Sequence, residues 1–218
     1  ISAPVVDDDG RLAGVITIDD AMVVLDEEHE EDILRLAGVG EGALSDSVRE
    51  TVRARIPWLV VNLATAGLAA FVISFFEGTI EAVVALAILM PIVASMGGNA
   101  GTQSLTVAVR ALATRDLTSA NAWRVVRREA AVGLLNGLLL SLLLGGVTAL
   151  AFGPAIGGVI AAALVVNLLV ASLAGTFVPL LLERLGVDPA LASGTFVTTV
   201  TDVMGFFAFL GLATLVLL

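Results

Sequence analysis

The stretch that decides the fold is residues 189–218, PALASGTFVTTVTDVMGFFAFLGLATLVLL, which is apolar apart from small hydroxyl residues and one acid. That acid, Asp202, is the only one deep within any long apolar run of the chain. A carboxylate at membrane depth is costly, and where one occurs it usually faces a cavity or the interior of a helix bundle. The stretch therefore predicts a membrane-spanning helix with a functional group near its centre.

Composition predicts an integral membrane protein. Of the 218 residues, 58% are hydrophobic, the mean hydropathy is +1.01, and several runs reach the ~18–20 apolar residues that span a bilayer. The chain has no cysteine, which excludes disulfides and thiolate metal sites. Fourteen of the 21 acids lie in the first 50 residues, and the net charge of −10 favours cations over nucleic acid as partners. We expect an acidic soluble head followed by a membrane body.

The head is predicted to hold a β-hairpin followed by helices. In chain order, its predicted elements are strands at 3–6 and 11–18, a helix at 20–25, an acid-rich helical stretch at 26–36 and a polar helix at 45–55. Gly10 supplies the positive φ of the hairpin turn, and Asp19 and Ser45 are suitable N-caps. Because the chain starts at Ile1, without Met and directly in a strand, we expect it to be the C-terminal piece of a longer polypeptide.

Five membrane-spanning segments follow, predicted at 57–76, 82–113, 130–152, 156–182 and 189–218. As a helix rising 1.5 Å per residue, the second would be ~40 Å long, which exceeds the ~30 Å hydrocarbon core of a bilayer. Pro91 and the Gly97-Gly98 pair interrupt this segment. We expect the segment to tilt, to kink at one of these places or to extend into water.

Arginine placement predicts the orientation of the spans. Basic residues precede the first segment and lie between the second and third and between the fourth and fifth, whereas the other two connections have none. Because positive charge concentrates on the cytoplasmic side, the N-terminus is predicted in the cytoplasm and the C-terminus outside, across the cell (inner) membrane. Glu77 and Glu81 then lie at the outer mouth, where they are candidate metal-binding acids.

A polar stripe runs along the fifth segment on a helical wheel. It spans roughly 160° and comprises Gly194, Thr195, Thr198, Thr199, Thr201, Asp202 and Gly205. The opposite side comprises Val197, Val200, Val203, Met204 and Phe207. One interpretation is the wall of a polar pore; the other is helix packing through small residues, with Asp202 hydrogen-bonded for structure. We favour the pore, because several hydroxyl groups share one face with the carboxylate.

The second segment carries its own polar run, GGNAGTQS at 97–104. Gly97 and Gly101 let helix backbones approach closely, and the oxygens of Asn99 and of the residues after Gly101 can hold a hydrated ion or tie helices together. Carboxylate, hydroxyl and amide oxygens suit Mg²⁺, Ca²⁺ or Mn²⁺. Because one carboxylate is too few for a divalent-cation site built by protein, we expect a homodimer that presents two Asp202 groups near its axis.

These motifs resemble those of a known family. The runs PIV at 91–93, GGNAGTQS at 97–104, RALAT at 110–114, LGVDPA at 185–190 and TDV at 201–203 resemble the signature of the MgtE family of magnesium channels. The resemblance covers essentially the whole chain. It implies an all-α polytopic homodimer with five transmembrane helices per subunit and a central pore lined by the second and fifth. It also implies that hydrated Mg²⁺ binds in the pore at Asp202, Thr198, Gly194, Asn99 and Gly98.

The chain departs from the family pattern near the predicted ion site. The pattern has an asparagine two turns before the aspartate, where this chain has Gly194, and Thr198 stands where a small residue is common. Position 194 has no side chain to offer the ion. Selectivity for Mg²⁺ over other divalent cations therefore stays open on the sequence.

The head resembles the end of a CBS domain, through its hairpin and the sequence GVITIDD at 14–20. In CBS domains the Thr and Asp of this motif lie near the ribose of an adenine nucleotide, which implies a nucleotide role for Thr17 and Asp20. ATP binding is expected only in a full-length protein. The predicted division of the chain is a CBS fragment at 1–36, a connecting helix at 37–56 and a pore domain at 57–218.

The acid-rich run of the head has two interpretations. One is a solvated helix. The other follows the family resemblance, which implies that regulatory Mg²⁺ binds cytosolic acids, here Asp26, Glu30, Glu31 and Asp32, and closes the gate. The connecting helix would then couple this sensor to the pore.

Three functions compete on the sequence. The first is a Mg²⁺ channel gated by cytosolic Mg²⁺, with membrane lipid, Mg²⁺ and a second subunit as partners and no enzymatic activity. The second is an ion-coupled secondary transporter of Mg²⁺, Mn²⁺, Co²⁺ or Ca²⁺, in which Asp202 protonates during the cycle; no inverted repeat supports it. The third is an intramembrane aspartyl protease, which needs a pair of carboxylates, whereas Asp202 is the one acid predicted deep in the membrane. We favour the channel.

Overall fold

The computed structural model describes residues 2–36, 47–118 and 120–218. In chain order its elements are β1 (Ser2–Val6), β2 (Leu12–Thr17), α1 (Ile18–Leu36), α2 (Val48–Ser74), α3 (Glu77–Ala82), α4 (Ala85–Ala113), α5 (Ala122–Phe152), α6 (Pro154–Arg184) and α7 (Pro189–Leu217). Within these ranges five helices, α2 and α4 to α7, are long and apolar enough to cross a membrane. The predicted architecture, an all-α polytopic body after a small two-stranded unit, is confirmed.

Strands β1 and β2 form an antiparallel hairpin. Gly10 takes a φ of +76°, and the Asp7 carboxylate accepts the backbone N–H groups of Asp9 at 3.1 Å and Arg11 at 2.8 Å. These local bonds close the turn where the sequence predicts it.

Helix α1 begins at Ile18, and its N-cap is Thr17 rather than the predicted Asp19. The Asp20 N–H donates to Thr17 Oγ1 at 3.3 Å, and the Asp20 carboxylate accepts the Thr17 N–H at 2.8 Å. This reciprocal pair satisfies two backbone donors at the helix start, which one acid at position 19 cannot do. The helix then continues without a break to Leu36.

Helix α2 also begins with a capping box. Ser47 Oγ accepts the Glu50 N–H at 3.4 Å, and the Glu50 carboxylate accepts the Ser47 N–H at 2.9 Å. The predicted cap, Ser45, lies outside the described residues. The helix runs through Pro57 to Ser74. The predicted boundary at 56/57 therefore falls inside one continuous helix.

Helix α6 is the centre of the bundle and contacts α4, α5 and α7. The largest buried cluster comes from α4, α6 and α7 and comprises Leu86, Leu89, Val93, Val159, Ile160, Ala163, Phe209, Leu210 and Ala213. Close backbone approach supplements this core. A Cβ added at Gly175 of α6 would lie 2.5 Å from the carbonyl oxygen of Gly101 on α4. Small residues let these helices touch backbone to backbone, as is common in membrane bundles.

Helix α4 is one continuous helix from Ala85 to Ala113 and runs through both Pro91 and Gly97-Gly98. One predicted start in the body is wrong. Helix α5 begins at Ala122 rather than at 130, because its arginine-rich first turns are helical although they are too charged to be read as an apolar span.

Candidate functional site

The predicted polar stripe of α7 divides into two faces. Val197, Thr201 and Phe209 are fully buried, and they form a line with Gly205 at intervals of four residues. The helical wheel puts Val197 on the side away from the polar stripe, and this prediction is wrong. A Cβ at Gly101 of α4 would lie only 2.7 Å from the Val197 methyl, so the missing side chain of Gly101 makes room for Val197 in the interior.

Asp202 lies on the neighbouring, half-exposed face of α7. Gly194 and Thr198 share that face, two turns and one turn before the carboxylate. Thr198 Oγ1 donates to the carbonyl oxygens of Gly194 at 3.0 Å and of Thr195 at 3.1 Å. Because this hydroxyl proton is held by the helix, its oxygen lone pairs face outward as acceptors. The Asp202 carboxylate and the Thr198 hydroxyl oxygen are thus two acceptors one turn apart on this face, which suits a cation that keeps its water shell.

The polar run of α4 is split in the same way. Gly97 and Gly101 are buried against α6 and α7, whereas Gly98 is half-buried. Asn99 is exposed, and its Nδ2 donates to Ser95 Oγ at 3.5 Å. Two residues are 200° of helix, so Asn99 lies on a face of α4 turned away from the contact that Gly101 makes with α7. One chain by itself does not bring Asn99 and Asp202 onto one packed face.

Ser104 ties helices together, which is one of the two roles predicted for the run at 97–104. Its hydroxyl is buried and donates to Glu129 Oε2 on α5 at 3.0 Å. The sequence places Glu129 before the third span, but it lies two turns into α5. In the sequence, the position of Glu129 directly before the apolar run of the third span is the one signal that could have indicated this role.

Asn167 is missed entirely by the sequence reasoning. It lies midway along α6, is fully buried, and donates from Nδ2 to the Val93 carbonyl oxygen of α4 at 2.7 Å. A lone amide at the centre of a predicted span is the signal that could have identified it. Its side chain lies where α4, α6 and α7 meet.

Comparison with known proteins decides the family. The model of the MgtE family, described as divalent cation transporters, matches residues 90–212. The chain belongs to the MgtE family. It is 43% identical over 217 residues to the magnesium transporter MgtE of Thermus thermophilus, covering 98% of this chain and 48% of that protein. It is 36% identical over 217 residues to the magnesium transporter MgtE of Bacillus subtilis, with the same coverage of both. The chain thus spans about half the length of the curated relatives it matches.

The acidic head precedes the region that the family model matches. Asp26 is exposed and Glu31 is half-buried, whereas the side chains of Glu30 and Asp32 lie outside the described ones. Over residues 2–36, 47–118 and 120–218, no three His, Asp or Glu side chains gather closely enough to hold a metal ion. Helix α1 nevertheless contacts α7, the helix that carries Asp202.

The two acids predicted at the outer mouth are exposed on α3, as Glu77 and Glu81. A hydrogen bond of 2.8 Å between the hydroxyls of Thr79 and Thr214 fixes α3 to the last turn of α7. The acids therefore lie at the C-terminal end of α7, and Asp202 lies midway along the same helix.

The predicted nucleotide residues bind each other. Thr17 Oγ1 donates to Asp20 Oδ2 at 2.7 Å, and both side chains are exposed. The backbone N–H of Thr17, followed by its hydroxyl, lowers the pKa of Asp20. Their role in this structure is to start α1, and nucleotide binding by them stays a prediction.

Proposed function

We propose that the chain forms the pore of a Mg²⁺ channel. The observation that carries this proposal is the placement of Asp202 midway along a membrane helix, on a half-exposed face, with the hydroxyl of Thr198 directed into its own helix. A carboxylate is not kept at such a position without a charged or polar partner. The magnesium transporters of the same family supply the identity of the ion.

The chemistry of the face favours a hydrated ion. Mg²⁺ dehydrates reluctantly and usually keeps several waters. Water molecules of its shell donate, and the Asp202 carboxylate, the Thr198 hydroxyl oxygen and backbone carbonyl oxygens accept. Gly194 contributes its carbonyl and no side chain, which leaves room for the water shell at that level.

A second subunit completes the site in this proposal. One carboxylate neutralises half the charge of Mg²⁺, and two Asp202 groups across a two-fold axis neutralise all of it. Without a cation the two carboxylates would repel, so the pair favours a divalent ion over a monovalent one. Asn99, on the outward side of α4, is available to such a partner.

Cytosolic Mg²⁺ closes the pore in this proposal through the head. The contact of α1 with α7 gives the acid-rich helix a direct path to the helix of Asp202. Bound Mg²⁺ would screen the repulsion among Asp26, Glu31 and their neighbours and hold α1 in place. With the arginine-rich loops in the cytoplasm, the membrane potential drives cations inward by ~2.3 kcal/mol per elementary charge per 100 mV.

Mg²⁺ flux into proteoliposomes tests the proposal. The chain is reconstituted into vesicles that enclose a Mg²⁺-sensitive dye, and we expect Asp202→Asn, which removes the charge but keeps the shape, to abolish the flux. Asp116→Asn is the matched control, because Asp116 is an exposed acid in the α4–α5 loop. Normal flux through well-folded Asp202→Asn protein would refute the channel site.

The same assay separates the gate from the pore. Charge removal at Asp26 and Glu31, as Asn and Gln, should leave the flux at low Mg²⁺ intact and weaken its inhibition by Mg²⁺ on the side of α1. An inhibition curve identical to that of the unmodified chain would refute the sensor. A flux that requires a proton gradient would favour the coupled transporter instead.

A further inference from the structure

Asn167 is a buried polar residue that the proposed ion path does not use. It is 0% exposed, and its Nδ2 donates to the Val93 carbonyl oxygen at 2.7 Å. Its Oδ1 is buried too and accepts no hydrogen bond in the part of the chain that the structure describes. A buried acceptor without a partner destabilises a fold, so filling space does not explain why an amide stands here.

The amide lies between two glycines on two other helices. A Cβ at Gly97 of α4 would lie 2.5 Å from Asn167 Nδ2 and 2.9 Å from Oδ1, and one at Gly205 of α7 would lie 3.0 Å from each. The missing Cβ of a glycine is replaced by a hydrogen, so the amide oxygen faces Cα–H groups, which are weak donors. One side chain of α6 therefore touches α4 and α7 at a single level.

Both glycines adjoin the residues proposed to line the pore. Gly205 is one turn after Asp202 on α7, and Gly97 directly precedes Gly98 and Asn99 on α4. The hydrogen bond to Val93 holds the amide in one orientation, so the amide contributes, beside the direct contact of Gly101 with Val197, to how closely α4 and α7 approach. A change in its size moves the Asp202 turn relative to the polar run of α4.

We propose that Asn167 is a positioning residue for the cation site. It sets the distance and register between α4 and α7, and through them the placement of Asp202 toward the ion. This inference rests on the proposed function of Asp202. The residue does not touch the ion; it acts through the two helices that it contacts.

The test removes the Asn167 amide from α6, adds a methyl group at Gly205 of α7, and combines the two changes in a double variant. Asn167→Ala and Gly205→Ala should each raise the Mg²⁺ concentration for half-maximal flux by about tenfold, the size typical of residues that support metal ligands. In the double variant the methyl group added at position 205 enters the space that the amide leaves. Half-saturation should then return most of the way to that of the unmodified chain, so the two effects are not additive.

Thr176→Val is the matched control. Thr176 is equally buried on α6, but its hydroxyl donates to the Ser172 carbonyl of its own helix at 3.0 Å. Thermal midpoints are measured for every variant. If the Asn167 and Gly205 variants lower the midpoint but leave half-saturation and the ratio of Mg²⁺ to Ca²⁺ flux unchanged, Asn167 is structural only. An equal shift in half-saturation from Thr176→Val overturns the proposal as well.

The two proposals fail in different ways. Unchanged flux through Asp202→Asn refutes the transport site, whatever the Asn167 variants do. The thermal midpoints of the four combinations at positions 167 and 205 do not depend on transport. Additive midpoint shifts would show that the amide does not join α6 to α7 and would overturn the positioning role by itself.

Discussion

Helices α6 and α2 are both long and apolar, yet they are packed very differently. Of the most apolar eighteen residues of α6, 50% are buried, against 6% for α2. Helix α6 contacts α4, α5 and α7, and its glycines and the Asn167 amide lie at these contacts. In α2, by contrast, Ala69 is the single buried residue. Helix α6 is thus the scaffold that places the proposed pore helices. Most of the surface of α2 is exposed in one chain.

The largest expected effect comes from the closest backbone contact of α6. Gly175→Leu places a side chain where a Cβ alone would lie 2.5 Å from the Gly101 carbonyl oxygen. Because backbone cannot yield as a flexible side chain does, α4 and α6 must separate. We expect little or no monodisperse protein in size-exclusion chromatography of detergent extracts.

Gly158→Leu is the matched control on the same helix. A Cβ at Gly158 meets no atom within 4 Å, so we expect a yield close to that of the unmodified chain. If both variants lose the same yield of monodisperse protein, α6 tolerates leucine at neither glycine. The proposed difference between the packed and the exposed face of α6 would then be wrong.

An intermediate effect should distinguish α6 from α2 directly. Leu164 of α6 is 1% exposed, and Leu164→Ala should lower the free energy of unfolding in mixed micelles by about 2–5 kcal/mol. Leu63 of α2 is 74% exposed, and Leu63→Ala should change it by no more than about 0.5 kcal/mol. A loss from Leu63→Ala as large as that from Leu164→Ala would show that a partner covers α2.

The sequence predicted the spans far better than their packing. Local signals were enough for the spans and the hairpin: long apolar runs indicate the five spans, and short apolar runs on either side of Gly10 indicate the hairpin and its turn. The start of α5 was missed because charged residues can be helical without being in the membrane. The caps at Thr17 and Ser47 were missed because the reciprocal bond needs a partner three residues on, and the sequence offers several hydroxyl and acidic candidates.

Side-chain direction within the bundle was the harder part. The wheel identified Asp202 and Thr198, but it joined them to Thr201, which is buried. A wheel ranks residues by polarity, whereas burial depends on what the facing helix offers, here the open space at Gly101 for Val197. Asn167 was missed for the same reason, since its role depends on glycines far away in the chain.

The smallest expected effect concerns the start of α2, where a local cap takes the place of packing. Ser47→Ala removes the hydroxyl that accepts the Glu50 N–H at 3.4 Å. Loss of an N-cap costs about 1 kcal/mol, so the amides of the first turn should exchange with deuterium about fivefold faster. Ser47→Thr keeps the hydroxyl and should exchange like the unmodified chain. Because the main contact of α2 is with α7, the amides near Asn167 on α6 should keep their protection. Faster exchange near Asn167 would show that α2 and α6 open together. Helix α2 would then belong to the same cooperative unit as α6, although it is exposed in one chain.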